Sequence, residues 1–117
     1  FRENDDTLSS RRQRNGVSPN FVHSLDAAAL HKTVINANKQ EGIYDFAMIH
    51  DSYGTHATGC EALSKSLRKV FIDTFSVDLL RDWKHQLELH SGLELPEPPE
   101  YGTADISQIK DSTYFFS

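Results

Sequence analysis

The sequence holds one cysteine, Cys60, among 117 residues. That excludes an internal disulfide and a multi-cysteine zinc site. No apolar run approaches the roughly 18 residues that a membrane-crossing helix needs, and no basic-then-apolar stretch reads as a leader. Positive charge is also short: Lys and Arg total 12 against 17 for Asp and Glu, a formal charge of -5. That balance argues against a small basic nucleic-acid module. The six glycines form no Walker or dinucleotide pattern. There is no internal repeat, and only Pro96-Glu97-Pro98-Pro99 is compositionally biased. At 38% apolar residues the chain is lean for a self-sufficient globule. Phe1 stands where Met would open a reading frame, so a cut from a longer chain is expected. Composition alone describes one domain, or a piece of one, from a soluble, reducing-compartment protein without a membrane anchor.

The elements that are present read as follows. Residues 1 to 20 look like a loop or tail, with arginines alternating with acids, a turn signal at Asn15-Gly16, and Pro19 biasing Ser18 to extended backbone. A first helix is expected over residues 25 to 39, with Ser24 as its cap, Asp26 in its first turn, and Ala27, Leu30, Val34 and Ala37 as its apolar stripe. Gly42 stops it. Residues 43 to 50 make the best strand, apolar enough to be covered on both faces. A short return strand over residues 53 to 56 makes a hairpin with Asp51 at or near the turn. A second helix begins near Gly59 with the capping-box spacing of Thr58 and Glu61. It buries Leu63, Leu67, Val70 and Phe71 and wets Lys65, Arg68 and Lys69. A third runs over residues 77 to 89, capped by Ser76 and ended by Gly92. Residues 105 to 110 suit one short helix. The fold class is therefore α+β, mostly helical, with a short antiparallel hairpin carrying His50-Asp51-Ser52.

The chemistry-bearing features are few. A carboxylate at a strand end is held by a rigid scaffold yet reaches solvent, which suits Mg²⁺, a hard ion that takes oxygen ligands. Two-metal phosphoryl transfer needs carboxylates that bridge ions roughly 3.5–4 Å apart, and one aspartate cannot build that site. From spacing alone the plainer reading is that Asp51 starts a turn. His50-Asp51 also invites a metal-phosphohydrolase reading, but His23, His31, His56, His85 and His90 share no tight ligand spacing. The cluster Pro19-Asn20-Phe21-Val22-His23-Ser24-Leu25-Asp26 is explained as a helix entry except for His23, whose functional reading is a polar contact to nucleic acid. Cys60 has no partner that would make it a nucleophile. Three aromatics close the chain at Tyr114-Phe115-Phe116, where a terminus is usually polar.

Two of these blocks, residues 19 to 26 and His50-Asp51-Ser52-Tyr53-Gly54-Thr55-His56-Ala57, resemble the C-terminal end of the single-subunit, bacteriophage-type DNA-directed RNA polymerases, and at the matching spacing. Lys110-Asp111-Ser112-Thr113-Tyr114-Phe115-Phe116-Ser117 resembles the C-terminus of that family, including its mitochondrial members. The resemblance covers roughly residues 16 to 117, and three ordered blocks outweigh the plain turn reading. It implies that the hairpin belongs to a polymerase palm, not a complete domain, and that Asp51 is one of two metal-binding, catalytic aspartates using Mg²⁺. It implies nucleic-acid contacts from His23, His50 and Ser52, with Phe116 and the Ser117 carboxylate forming a tail folded back toward the catalytic centre. DNA template, RNA product and nucleoside triphosphates are the implied partners, with no membrane.

The family's second aspartate and its nucleotide-binding helix lie upstream of anything present here. The chain is therefore expected to be inactive without that remainder, carried on the same or a separate polypeptide. Gly54 stands where mitochondrial members carry Trp, so a phage-infected bacterial cytoplasm is the first expected location and a mitochondrion the second. Ser52, where a family-A DNA polymerase would carry Glu, favours the RNA enzyme; a non-enzymatic, polymerase-derived interaction module is the remaining alternative. The expected divisions are residues 1 to 18 as a tail, 19 to 92 as the palm segment, and 93 to 117 as a Pro-rich linker with the aromatic tail.

Overall fold

The computed structural model describes residues 8 to 115. Helix α1 runs Ser10–Glu41, hairpin strands β1 and β2 are Ala47–Ile49 and Ser52–Gly54, and helices α2 and α3 are Cys60–Phe75 and Leu79–Ser91. Short 3₁₀ turns lie at Ala57–Gly59 and Ile106–Lys110. The expected α+β class holds: mostly helix, with one two-stranded antiparallel hairpin.

Helix α1 begins where a loop was expected. Ser9 caps it by accepting a hydrogen bond from the Arg12 N–H, and Arg11, Arg12, Gln13 and Arg14 are good helix formers. Pro19 sits inside the helix. Its missing N–H removes one bond, that to the Asn15 carbonyl, and the remaining turns carry the helix through. Ser24 and Asp26 are thus mid-helix and cap nothing; the Ser24 hydroxyl donates to the Phe21 carbonyl at 2.7 Å. The buried stripe is Ala29, Thr33 and Ala37, flanked by half-buried Leu30 and Val34, while Ala27 is exposed. Gly42 ends the helix at φ +67°, a left-handed conformation that costs glycine nothing.

That stripe packs on α2, whose Leu63, Ser66, Leu67, Val70 and Thr74 are buried. Small side chains at the contact let the two helices approach closely. Thr33 and Ser66 are 0% and 1% exposed. The Thr33 hydroxyl returns its proton to the Ala29 carbonyl at 2.8 Å, whereas the Ser66 hydroxyl finds no partner among the described residues. Ile43, just past Gly42, joins Ala37 and Leu63 in the core cluster, and Phe46, Met48 and Tyr53 pack against it. The Asn38 amide holds the Ile43 carbonyl at 2.9 Å, which fixes how the chain leaves α1 for the hairpin.

Two further expectations are corrected. Thr58 and Glu61 form no capping box; Thr58 lies in the 3₁₀ turn, and Gly59 caps α2 without a side-chain bond. Ser76 caps the end of α2 instead of the start of α3. Asp78 takes the starting position, its carboxylate accepting from the Arg81 N–H at 3.0 Å. Gly92 stops α3 at φ +68° as expected. The proline-rich stretch is strapped along α3. Lys84 pairs with Glu97 at 2.8 Å and with Glu88 at 3.1 Å, and Glu88 accepts the Leu95 N–H at 2.8 Å. Those contacts raise the Lys84 pKa, chiefly through Glu97, and lower that of Glu88, chiefly through Leu95. Phe21 of α1 stacks on Trp83 of α3, ring centroids 4.2 Å apart, and ties this unit to the first helix.

The molecule is extended. Its radius of gyration is 18.2 Å, against about 13 Å for a compact domain of this length. An unpartnered buried hydroxyl costs about 1–3 kcal/mol. Ser66→Ala is accordingly expected to stabilise the chain by roughly 1 kcal/mol, read as a higher urea midpoint; a lower midpoint would mean that Ser66 holds a bond that matters.

Candidate functional site

The hairpin pairs Ala47 with Gly54, Met48 with Tyr53 and Ile49 with Ser52. His50 and Asp51 are left as a two-residue loop. Such loops favour primed turns, which require a positive φ at the first central residue. His50 supplies it at φ +53°. A non-glycine residue held there stores strain of about 1–3 kcal/mol, although histidine tolerates it better than branched residues do. Gly54 permits the strands to close, since a Cβ there would lie 3.2 Å from the Ala47 carbonyl oxygen.

Alternation then decides what faces where. Met48 and Tyr53, a cross-strand pair, turn toward the Ala37–Ile43–Leu63 core. Ala47, Ile49 and Ser52 are exposed. The expected strand covered on both faces is thus covered on one, because this chain supplies only one packing layer; Ile49 is 69% exposed. Asp45 and Thr55 brace the strand bases: the Thr55 hydroxyl donates to the Asp45 carbonyl at 2.8 Å, and His56 Nε2 lies 3.4 Å from the Asp45 carboxylate.

Asp51 stands exposed at the apex and makes no hydrogen bond or ion pair among the described residues. It borders a cleft of about 320 Å³ with Ser52 and Tyr53 of the hairpin, Cys60 and Leu67 of α2, and Phe115 of the tail. The Cys60 thiol donates to the His56 carbonyl at 3.6 Å, so it is a structural group. Three of the expected site residues, His50, Asp51 and Ser52, are brought together by the turn. His23 is elsewhere: exposed on α1, with no hydrogen bond to the hairpin among the described residues. It shares its helix face with Asp26, three residues on. Phe116 and Ser117 lie outside the described residues. Among those residues no three His, Cys, Asp or Glu side chains are placed to hold a metal ion. What the site offers such an ion is one free carboxylate, a hard oxygen donor of the type magnesium takes.

Two features were not read from the sequence. Tyr53 is electrostatically linked to both Asp26 and Asp51: burial, then Asp26, then Asp51 push its phenol above the ordinary value. This links the α1 turn after His23 to the hairpin. The second is Arg68, expected on a wet face. It is half-buried, donates to the carbonyls of Ile109 and Ser112, and lies 5.4 Å over the Phe115 ring. Phe115 meets Phe71 edge-on at 5.1 Å. The tail is thereby fastened to α2 at the rim of the Asp51 cleft. Even spacing could have flagged Tyr53 as inward-facing, but backbone carbonyls forty residues away leave no trace in the sequence around Arg68.

The model of the DNA-dependent RNA polymerase family matches residues 1–92. The chain belongs to that family. It is 36% identical to the T7 RNA polymerase of Escherichia phage T7 over 97% of this chain and 13% of that protein. To the DNA-directed RNA polymerase 1A of Nicotiana tabacum it is 37% identical over 96% of this chain and 72% of that one. The RNA polymerase of Enterobacteria phage T3 is 34% identical over 97% and 13%. The chain thus spans a small part of the phage polymerases it matches. Phage and plant identities are alike, so they do not choose between the two expected locations. No helix among the described residues is long and apolar enough to cross a membrane.

The Tyr53 environment can be titrated. The folded chain holds the phenolic proton more tightly than the unfolded one, so this group's contribution to stability is full below about pH 10 and is lost as pH rises through the raised pKa. Ultraviolet titration of Asp26→Asn and Asp51→Asn should show Tyr53 ionising earlier in each, with part of the elevation kept because burial is the larger cause. An unchanged titration in both would mean that neither carboxylate faces the phenol.

Proposed function

We propose that this chain is the C-terminal palm segment of a DNA-directed RNA polymerase, with Asp51 as one of two aspartates that hold Mg²⁺ during template-directed nucleotidyl transfer. The observation that carries the reading is Asp51 itself: exposed, unpaired among the described residues, and held at the apex of a strained turn in a member of this family. An aspartate serving as a salt-bridge partner would not stand free. Strain of this kind persists where the surrounding packing over-determines it, and such residues cluster at functional sites.

The chain's own residues divide the work. The core pair Met48 and Tyr53 locks the register, so the Asp51 carboxylate is presented without reorganisation. Magnesium bound there would neutralise phosphoryl oxygens and favour ionisation of the RNA 3′-hydroxyl. His50 and Ser52 flank the carboxylate and contact the nucleic acid at the reacting end. His23 contacts the template–product hybrid from α1. Phe116 and the Ser117 carboxylate continue the tail that Arg68 and Phe71 fasten beside the cleft. The reaction joins the 3′-oxygen to the α-phosphorus of the incoming nucleoside triphosphate and releases pyrophosphate.

One carboxylate does not make a two-ion site, so an upstream polypeptide supplies the second aspartate and the nucleotide-binding helix. The exposed outer face of the hairpin, with Ile49 and Tyr44, suits burial against that missing part. A phage-infected bacterial cytoplasm is the first proposed location and a mitochondrion the second.

In a polymerase containing this chain, Asp51→Ala should lower template-directed ribonucleotide incorporation by more than about 100-fold, beyond the usual effect of losing an outer-shell metal partner. Near-normal incorporation by that variant overturns the catalytic assignment and favours a non-enzymatic module. Deleting Phe116 and Ser117 should slow elongation while leaving assembly intact, as followed by size-exclusion chromatography. Unchanged elongation would remove the tail from the catalytic machinery.

A further inference from the structure

Arg68 has a task that neither the hairpin nor the core explains. It is half-buried on α2. Its terminal nitrogen Nη1 donates to the carbonyls of Ile109 and Ser112, the second at 2.8 Å, across 41 and 44 residues of chain. Among the described residues, these are the hydrogen bonds that tie residues 105 to 114 to the rest of the molecule. The other bonds of that segment are internal. Asp105 accepts the Ser107 N–H at 2.9 Å, and the Ser112 hydroxyl donates to the Tyr114 carbonyl at 2.7 Å. The end of a helical turn leaves carbonyls open, and a guanidinium makes strong, charge-assisted bonds to such acceptors. Because both acceptors are backbone atoms, Arg68 fixes the path of the tail and not its composition.

That path matters because of what shares the tail's seat. Cys60, Ser64, Leu67 and Phe71 recur along α2 at spacings of four, three and four, so they lie on one stripe. The first three line the cleft that Asp51 borders. The fourth receives the Phe115 ring edge-on, centroids 5.1 Å apart, and Phe115 lines that same cleft. Arg68 stands beside the stripe, its guanidinium carbon 5.4 Å over the Phe115 ring. A planar cation over an aromatic face is attracted to it. One side chain thus holds the tail at Ile109, Ser112 and Phe115. Residues 110 to 114 are exposed, so packing alone does not decide the tail's course between those points.

We infer that Arg68 is a positioning residue for nucleotidyl transfer: it holds the tail so that Phe115 forms one wall of the cleft beside Asp51. The inference rests on the polymerase reading and deepens it, because it makes the rate of transfer depend on an α2 side chain that meets neither metal nor nucleotide. Arg68 acts through the tail alone. A misplacement of about 1 Å caused far from the chemistry can cost on the order of 100-fold in rate. On the polymerase reading the nucleotide-binding helix lies on the upstream part, so loss of the clamp falls on kcat and leaves nucleotide KM nearly unchanged.

The test uses a polymerase containing this chain and the variant Arg68→Met, which keeps an apolar stem and removes the donors. Ribonucleotide incorporation should lose at least about tenfold in kcat, with nucleotide KM changed by less than about twofold. In a Phe115→Ala background the same substitution should cost less than about twofold, because the wall it sets is already gone. A residue that merely stabilised α2 would cost the same factor in both backgrounds. Carboxypeptidase digestion reads the clamp without activity: trimming should stop before Phe115 is lost in the wild type and run on through Ser112 in Arg68→Met. Equal losses in both backgrounds overturn the inference, as do an unchanged kcat, an effect confined to KM, or tails trimmed alike. Failure of Arg68→Met to assemble also overturns it, since Arg68 would then support the body of the chain. If Asp51→Ala abolishes incorporation while Arg68→Met incorporates normally, the polymerase reading stands and this inference fails. If Arg68→Met lowers kcat only where Phe115 is present, but Asp51→Ala leaves incorporation intact, the positioning role stands and the catalytic assignment of Asp51 fails.

Discussion

Everything in this molecule is arranged around the contact among Ala37, Ile43 and Leu63. Ala37 is fully buried on α1, Leu63 is buried at the start of α2, and Ile43 is the first side chain after the left-handed glycine that ends α1. A methyl group at 37 leaves space that Ile43 fills, and the Asn38 amide then fixes the Ile43 carbonyl. Only after that does the chain have a platform on which the Met48–Tyr53 pair can rest. An isolated two-stranded hairpin is marginal in water, so the position of Asp51 is borrowed from a helix–helix contact formed outside the hairpin. Enlarging Ala37 would move the apex without touching it.

The features legible in the sequence were those settled within a few residues. Gly42 and Gly92 stop helices because a left-handed residue is needed at each end, and no neighbour has to agree. The apolar run before His50 and the turn at Asp51 gave the hairpin for the same reason. Leu63, Leu67 and Val70 gave the buried face of α2. Helix starts were harder. Ser24, Thr58 and Ser76 each carry a cap-capable hydroxyl, yet Ser9, Gly59 and Asp78 hold the positions, because a cap is chosen by where cooperative helix growth ends and not by the best hydroxyl nearby. The α1 stripe kept Ala37, but Ala29 and Thr33 took the buried positions, with Leu30 and Val34 half-buried beside them and Ala27 exposed.

The site was legible to a similar depth. Asp51 at an exposed turn follows from residues 43 to 54, and membership of the polymerase family from three separated blocks. Arg68 was misplaced because its partners are carbonyls of Ile109 and Ser112, brought near only by the returning tail. The same long-range return carries Phe115 to the rim of the cleft that Asp51 borders. Sequence distance hides this arrangement, since the tail and the hairpin are joined through α2 and not through each other.

The extended shape and the charge distribution point the same way. A chain with a radius of gyration of 18.2 Å has left much of its apolar surface unpaired, and the exposed side of the hairpin is where this is plainest. Among the described residues no group of three metal-ligating side chains forms around Asp51. On the reading proposed above, a complementary carboxylate on a segment that buries Ile49 and Tyr44 would need one interface only, since the apolar contact that completes the sheet would also set the separation of the two acids. Metal affinity and palm assembly would then be coupled: weakening the apolar interface should weaken the ion site even with both aspartates intact.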